Sequence, residues 1–284
     1  MLLSAIWGSS FIFIKISVES IHPTLLTLYR LLIASVFLFF FCEITKIKKL
    51  FNENKIDLLV IAFVGNVIPF NLISWSEIYV DSVIASTLIG TMPLFTFLIS
   101  FFLLNNSRSS FRTSIGLFTG FSGMIIFLGP NSLVEIENSI YLFLIVLASI
   151  MYAFSANWVN KLNENSSIEL AFCSISLAAI VSFPIFFITI SILDLQILNL
   201  VNSIGFFSFI SASILGIICT GFAISLFFYL IKKKSAIFAS QSNYLIPCFG
   251  FLWSFIFLTE KLSFNLLAGL ILIVLGGYLV DKKN

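Results

Sequence analysis

The sequence predicts an all-α membrane protein with ten transmembrane helices, arranged as two inverted five-helix repeats with both termini in the cytoplasm. Three observations lead to this prediction: ten long apolar runs, basic residues gathered in alternate connections, and a second half that repeats the first. The composition agrees, because 60% of the residues are hydrophobic, 10% are charged and the mean hydropathy is +1.12. A soluble domain of this size cannot bury so much apolar surface, whereas a bilayer surrounds it.

The apolar runs occupy most of the chain. A helix needs roughly 17–25 apolar residues to cross the hydrocarbon core, and nearly all of the runs reach that length. In order, they are Leu2–Val18, Thr24–Cys42, Ile56–Trp75, Val83–Leu104, Thr113–Leu128, Ile140–Val159, Leu170–Ile192, Ile204–Ile231, Ala236–Leu258 and Leu262–Val280.

The basic residues indicate the orientation of these runs. Cytoplasmic loops are enriched in Lys and Arg, so the basic connections and both termini are expected in the cytoplasm. The opposite connections hold a single basic residue, Lys261, among several acidic ones such as Glu135 and Asp194. The cytoplasmic set comprises Lys46, Lys48, Lys49, Lys55, Arg108, Arg112, Lys161, Lys232, Lys233, Lys234, Lys282 and Lys283.

The two halves can be aligned with each other. Because five crossings return the chain on the opposite side of the membrane, the second repeat is inverted relative to the first. We expect the repeats at 1–129 and 138–281. The matched residues are Trp7 and Ser10 with Tyr152 and Ser155; Ala85, Ser86, Pro93 and Leu104 with Ala239, Ser240, Pro247 and Leu258; and Gly116 and Gly123 with Gly269 and Gly276.

Glycines and prolines recur at equivalent places in the two repeats. Small residues let helices approach closely in lipid, so the glycines of the fifth and tenth runs predict tight packing or a dimer face. Pro93 and Pro247 each release a carbonyl from its intrahelical hydrogen bond and are candidate helix bends. Two such bends predict either the wall of a central cavity or a pair of passive kinks.

Lys15 and Arg30 are the basic residues inside the runs, and both are candidate substrate-binding residues. A charge buried in a span is costly unless it faces water, a partner or a substrate. The alternatives are that Lys15 extends to the interface and that Arg30 pins a neighbouring helix. Neutral candidates for the same site are Trp7, Ser10, Asn71, Trp75, Ser86, Tyr152, Asn157, Ser240, Gln241 and Asn243, with Asn66 and Thr91 as further polar residues.

Other features exclude several classes of function. The acidic residues are expected in loops or at the ends of spans, with Glu77, Asp81 and Glu260 at the outer rim. The sequence lacks a zinc-protease HExxH motif, a GxSxG nucleophile elbow and a phosphate-binding loop, so an enzyme is not expected. The four cysteines show no CxxC spacing, and no metal or cofactor is expected. A net charge of +2 does not indicate a nucleic-acid partner.

The chain resembles the EamA-like branch of the drug/metabolite transporter superfamily. One departure is that Glu260, which closes the ninth run, has Asn105 or Asn106 as its first-half counterpart. The resemblance rests on Trp7-Gly8-Ser9-Ser10-Phe11 with Lys15, Pro23 with Tyr29-Arg30, Ala85-Ser86 with Pro93-Leu94-Phe95, Ala239-Ser240 with Leu245-Ile246-Pro247, Glu260-Lys261-Leu262, and Gly269.

The resemblance implies a secondary transporter in the inner membrane that exports small polar metabolites such as amino acids. Inverted repeats around a midplane site suit alternating access, in which one repeat rocks against the other. Two cations without a buried acid favour an anionic or zwitterionic solute. The alternatives are a lipid or lipid-linked sugar translocator and a structural membrane protein that does not transport. The expected partners are the solute and the lipid bilayer, with a homodimer as an option.

Overall fold

The computed structural model describes residues 1–102, 111–128, 139–162, 166–250 and 264–281. These residues form helices and short connections, without a strand. In chain order, the helices are α1 (Leu2–Val18), α2 (Pro23–Phe39), α3 (Ile44–Glu53), α4 (Lys55–Tyr79), α5 (Ser82–Phe102), α6 (Phe111–Leu128), α7 (Ser139–Lys161), α8 (Ser167–Ile192), α9 (Ile197–Asn202), α10 (Phe206–Lys233), α11 (236–250) and α12 (Phe264–Asp281).

The helices follow the apolar runs closely. The first run and α1 have identical bounds, and α8 ends with the seventh run at Ile192. Five helices of the described chain are long and apolar enough to cross a membrane by length and composition: α4, α5, α7, α8 and α10. The protein is therefore an all-α, multi-pass membrane protein. The last residues of the fourth and ninth runs and the Glu260-Lys261-Leu262 motif lie outside the described residues.

Four helices are irregular near their middle. In α4 and α10, the α-helix gives way to π-helical segments at Phe63–Val67 and Leu215–Phe222. In α5, the helix breaks at Gly90 and Thr91, before Pro93. In α11, a 3₁₀ segment precedes Pro247 and covers Gln241–Leu245. Under the repeat alignment, α4 corresponds to α10 and α5 to α11, so the helices of each pair are interrupted at corresponding positions along their length. π-helical turns often occur at functional sites.

Helices α6 and α12 form a pair that packs through glycines. A Cβ on Gly123 would lie 2.8 Å from the Gly269 carbonyl oxygen, and one on Gly116 would lie 2.8 Å from the Gly276 carbonyl oxygen. The backbones therefore touch, as small residues permit in lipid. This packing accounts for the glycine pattern within one chain. The remaining apolar helices surround the centre of the molecule, where α4 packs on α7, α1 on α10, and α2 on α8 and α10.

A short amphipathic helix, α3, lies in the basic connection after α2 and was not predicted. Leu50 is buried, and Ile47 and Phe51 pack against the core, whereas Lys48 and Lys49 are exposed. With only ten residues, α3 is too short to cross a bilayer. An apolar face on the core and a basic face outside fit a helix lying along the membrane surface.

Candidate functional site

A cavity lies at the centre of the helix bundle. Its volume is about 80 Å³, and its walls come from α1, α2, α4, α5, α7, α10 and α11. All four interrupted helices contribute to it. The polar residues on its walls are Trp7, Ser10, Arg30, Asn66, Tyr152, Ser155, Cys219 and Asn243.

Arg30 brings a positive charge to the cavity wall. Its side chain is 5% exposed, and Nε donates a hydrogen bond of 3.0 Å to the Thr220 hydroxyl. The guanidinium carbon lies 3.9 Å from the centre of the Phe70 ring, which is a cation–π contact. The terminal nitrogens donate no hydrogen bond to the part of the chain that the structure describes, and Arg30 forms no ion pair there. Four of its five N–H donors therefore remain for a ligand.

The two π-helical segments supply polar groups to the cavity. Asn66, in the segment of α4, is 1% exposed, and its amide nitrogen donates to the Ile61 carbonyl at 3.1 Å. Its Oδ1 is buried without a hydrogen-bond partner among the described residues. In the segment of α10, Thr220 binds Arg30, and its neighbour Cys219 lines the cavity. The site therefore combines a buried cation with a buried acceptor.

Aromatic rings enclose much of the remaining surface. Trp7 donates from Nε1 to the Cys219 carbonyl at 3.1 Å and packs edge-on against Phe227, with ring centres 5.1 Å apart. Tyr152 lies edge-on to Phe70, with ring centres 6.4 Å apart. These contacts join α1 to α10 and α7 to α4. The matched residues of the two repeats, Trp7 and Tyr152, thus both lie on the wall of one cavity.

The interruptions of α5 and α11 meet at the cavity. A proline leaves the carbonyl four residues earlier without its helical donor. Those carbonyls belong to Ile89 for Pro93 and to Asn243 for Pro247, and both residues line the cavity. In the 3₁₀ segment, the Asn243 carbonyl accepts a hydrogen bond from the Ile246 N–H instead. The Asn243 amide donates to the Ser240 carbonyl at 2.8 Å and approaches the sulfur of Met92 on α5 at 3.2 Å.

Five of the twelve candidate binding residues line the cavity, and seven do not. Those on the wall are Trp7, Ser10, Arg30, Tyr152 and Asn243. Most of the others donate hydrogen bonds to backbone carbonyls. The Asn71 amide donates to the Val67 carbonyl at 2.8 Å, and the Asn157 amide donates to the Thr96 carbonyl at 2.9 Å. Ser86 and Ser240 donate to carbonyls of their own helices. Substrate binding by these residues, and by Lys15, Trp75 and Gln241, stays a prediction.

Trp75 lies towards the end of α4, away from the cavity, and its ring meets His22 edge-on with centres 5.1 Å apart. Burial lowers the pKa of His22, which precedes α2. Its Nδ1 lies 2.8 Å from the Thr24 hydroxyl. The contact between Trp75 and His22 therefore belongs to the packing at the start of α2. No ligand is needed to account for it.

Lys15 and Glu77 meet at the C-terminal end of α4. The Lys15 ammonium donates to the backbone carbonyls of Glu77 at 2.6 Å and of Val80 at 3.2 Å, so it caps the helix. The Glu77 side chain, which the sequence predicts at the outer rim, is instead completely buried. The residue does lie near the end of its span, as the sequence indicates, but α1 and the start of α5 cover its carboxyl group.

The cavity also contains residues that the sequence did not mark as candidates. Phe70, Phe227 and Phe228 are apolar residues in apolar runs, and nothing in the sequence distinguishes them from lipid-facing phenylalanines. Gly65 is different, because glycine next to Asn66 in the middle of a span is unusual. A Cβ there would lie 2.2 Å from the Ser155 hydroxyl oxygen on α7. That pair of residues was the available signal for a close approach between α4 and α7.

Several relatives of this chain are transporters by name. An uncharacterized transporter encoded in the trpA 3′ region of Buchnera aphidicola subsp. Schlechtendalia chinensis is 32% identical over 254 residues, which cover 87% of this chain and 80% of the relative. The uncharacterized transporter YoaV of Bacillus subtilis is 24% identical over 96% of this chain and 92% of its own. The uncharacterized inner membrane transporter YedA of Escherichia coli is 26% identical, with coverages of 86% and 77%.

A solved crystal structure shares the fold, with a TM-score of 0.70 and 16% identity over 98% of this chain and 94% of its own. The sequence profile of the EamA-like transporter family matches residues 1–129 and 139–280, which is nearly the whole chain. The described helices, the central cavity and the named relatives are consistent with that match. The chain therefore belongs to the EamA-like transporter family and is a transporter of the drug/metabolite type rather than an enzyme.

Proposed function

We propose that this transporter exports small polar metabolites such as amino acids, carrying them through the central cavity by alternating access. The observation that carries the proposal is Arg30, a buried cation on the cavity wall whose terminal nitrogens donate no hydrogen bond to the described residues. A guanidinium binds a carboxylate through two parallel hydrogen bonds. A solute carboxylate would therefore accept the hydrogen bonds that the terminal nitrogens of Arg30 do not donate within the described chain.

The cavity has a second polar group suited to a zwitterion. The buried Oδ1 of Asn66 is a hydrogen-bond acceptor without a partner in the described chain. The ammonium group of a zwitterionic solute is a suitable donor for it. The aromatic walls of Trp7, Phe70 and Phe227 suit the apolar part of a small solute. Carboxylate, ammonium and an apolar side chain together describe an amino acid.

The position of the cavity among seven helices favours a small solute over a lipid. A lipid or lipid-linked sugar needs a groove that opens sideways to the acyl chains, whereas seven helices contribute to these walls. Membership of a transporter family also speaks against a purely structural membrane protein. The alternative function is a lipid translocator, and the experiment below distinguishes it from an exporter of small solutes.

We further propose that the ten apolar helices all cross the inner membrane, as two inverted repeats at 1–129 and 138–281. The loop charges support cytoplasmic termini, and one relative is named an inner membrane transporter. The matched interruptions of α4 with α10 and of α5 with α11 support two related halves around one site. The bilayer and the solute are the proposed partners, with a homodimer as an option.

The test is transport by purified protein in liposomes. Vesicles loaded with a labelled panel of neutral, acidic and basic amino acids, monoamines and a fluorescent phospholipid are compared with vesicles lacking protein. We expect protein-dependent efflux of solutes that carry a carboxylate, and none of the amines without one. Phospholipid movement without amino-acid efflux would support the lipid translocator and reject this proposal.

A further inference from the structure

Glu77 is a carboxylic acid enclosed at the C-terminal end of α4. Its side chain is 0% exposed. Oε2 accepts one long hydrogen bond, of 3.4 Å, from the Ser82 hydroxyl, and Oε1 has no hydrogen-bond partner within the described chain. Burying an ionised carboxylate without donors is costly, and native proteins rarely leave such an oxygen unsatisfied. In this conformation, Glu77 is therefore best accommodated with a bound proton.

The neighbouring cation does not pair with the carboxyl group. The Lys15 ammonium holds the backbone carbonyls of Glu77 and Val80, and it forms no ion pair with the Glu77 carboxylate. The Ser82 hydroxyl also lies 3.2 Å from the Phe11 carbonyl of α1. Lys15, Glu77 and Ser82 thus tie together α1, the end of α4 and the start of α5. We call these three residues the outer latch, since the proposed topology places them at the outer mouth.

The charged surroundings of Glu77 come from two helices. Lys15 on α1 and Arg30 on α2 both act on the carboxyl group with positive charge. From α5 comes the neutral hydroxyl of Ser82. An ionised Glu77 would therefore have one mobile partner close by, the Lys15 ammonium, which must then leave the carbonyls.

We propose that Glu77 is a proton-binding site and that release of its proton opens the outer mouth of the transporter. With the proton bound, Lys15 holds the carbonyls and the mouth is closed. On release, the O–H bond breaks, the proton passes to water at the outer mouth, and the electron pair stays on the carboxylate. The Lys15 ammonium then moves from the carbonyls to the carboxylate, which unties α1 from α4. This inference rests on the proposed orientation and makes opening of the outer mouth depend on the outer pH.

The latch is close enough to the cavity to control access to it. Ile14, the neighbour of Lys15, and Ile73, one helical turn before Glu77, both line the cavity. Separation of α1 from α4 at the latch therefore extends directly to the cavity wall. Cys219, on the opposite side in α10, is buried there and becomes a native reporter of opening.

The experiment measures labelling of Cys219 by a membrane-impermeant maleimide added outside intact cells or right-side-out vesicles, quantified by mass spectrometry. Each rate is divided by the rate for the same cysteine in detergent-unfolded protein at the same pH, which removes the pH dependence of thiol chemistry. We expect the corrected rate to rise at least about tenfold when the outer pH is raised from about 5 to about 8, as Glu77 loses its proton. No solute is present, so failure of the proposed substrate leaves this test intact.

Variants assign the pH dependence to the latch. Glu77→Gln keeps the neutral shape, so its corrected rate should stay low and independent of pH. Lys15→Gln cannot close the mouth, so its rate should be high at both pH values, and this variant decides the matter if Glu77→Gln fails to fold. Asp81→Asn, which changes an exposed acid four residues away, should keep the wild-type profile.

Two results would overturn the proposal. A Glu77→Gln protein with the wild-type pH profile would show that another group binds the proton. A wild-type rate that does not change with outer pH, in protein that elutes as a single folded species, would show that proton release does not open the mouth.

Discussion

Arg30 is the residue on which the substrate proposal depends, because its position separates a binding role from a packing role. Its Nε already binds Thr220 and its face covers Phe70, so α2, α4 and α10 are held together without any solute. The terminal nitrogens donate no hydrogen bond to the described residues. The residue can therefore serve both roles that the sequence left open, and a substitution must distinguish them.

We expect Arg30→Ala to lower amino-acid efflux from liposomes about tenfold or more, since hydrogen bonds to charged groups contribute about 1.5–3 kcal/mol each. Arg30→Lys should recover efflux only partly, because an ammonium cannot form the two parallel hydrogen bonds of a guanidinium. Lys48→Ala, which removes an exposed cation on α3, is the matched control and should transport normally. Normal expression together with normal efflux in Arg30→Ala would reject both the binding and the pinning role.

At the scale of helices, the sequence predicts well where each helix lies along the chain, but it predicts poorly which face of a helix points into the bundle. The run Leu2–Val18 and α1 coincide because hydropathy responds directly to the bilayer. Asn66 and Asn71 show the limit, since both are amides in one span, but only Asn66 lines the cavity. Lipid tails are as apolar as the protein interior, so the sequence of an apolar run does not indicate which of its faces packs against other helices. A π-helical segment adds a residue to a turn and shifts the faces of α4 without changing its composition.

The buried acid escaped prediction for a related reason. Glu77 lies near a span end in the sequence, where exposure is the ordinary expectation for a carboxylate. Its burial depends on Lys15 and Ser82, which arrive from other helices and cap the same end. Tertiary contacts of this kind produce no periodic pattern of residues in the sequence. Pro93 and Pro247 did carry a local signal, and the helices are interrupted within one turn before each of them.

The glycine packing of α6 against α12 gives a prediction for stability. In Gly123→Leu, the new Cβ would lie 2.8 Å from the Gly269 carbonyl oxygen and 2.8 Å from the Ile273 backbone nitrogen, so the helices must separate. We expect a loss of about 1–3 kcal/mol in the free energy of unfolding, as for other overpacked sites. Thermal unfolding in detergent, followed by loss of the monodisperse peak, measures it. Ile125→Leu, at an exposed position of α6, should unfold like the wild type.

For the whole molecule, the charge asymmetry of the loops predicts the topology. Reporter fusions after Lys49, Lys161 and Lys233 should give cytoplasmic activity, whereas fusions after Glu135 and Asp194 should give activity on the outer side. Enzymatic reporters that function on one side only make this measurement. A cytoplasmic signal from either outer fusion would contradict the ten-span, inverted-repeat arrangement.

The two halves also carry matching lysine contacts at opposite ends of the bundle. Lys15 on α1 holds the last carbonyls of α4, and Lys232 on α10 holds the last carbonyls of α7, those of Val159 and Leu162. In the repeat alignment, α1 corresponds to α7 and α4 to α10, so a lysine contact joins the equivalent pair of helices in each half, although the lysine lies on the first helix of one pair and on the second helix of the other. The proposed topology puts the Lys15 contact at the outer mouth and the Lys232 contact at the inner mouth. We infer that each contact closes one end of the cavity.

Loss of one contact should therefore open one side. Two hydrogen bonds to an ammonium contribute about 1.5–3 kcal/mol each, so breaking them shifts the population of open states roughly tenfold or more. In Lys232→Gln, labelling of Cys219 by an impermeant maleimide should rise by that factor in inside-out vesicles and fall in right-side-out vesicles. Lys233→Gln removes an exposed neighbour that binds the Tyr229 hydroxyl and should match the wild type on both sides. Equal increases on both sides in Lys232→Gln would indicate general loosening of the bundle and would contradict alternating access through these two contacts.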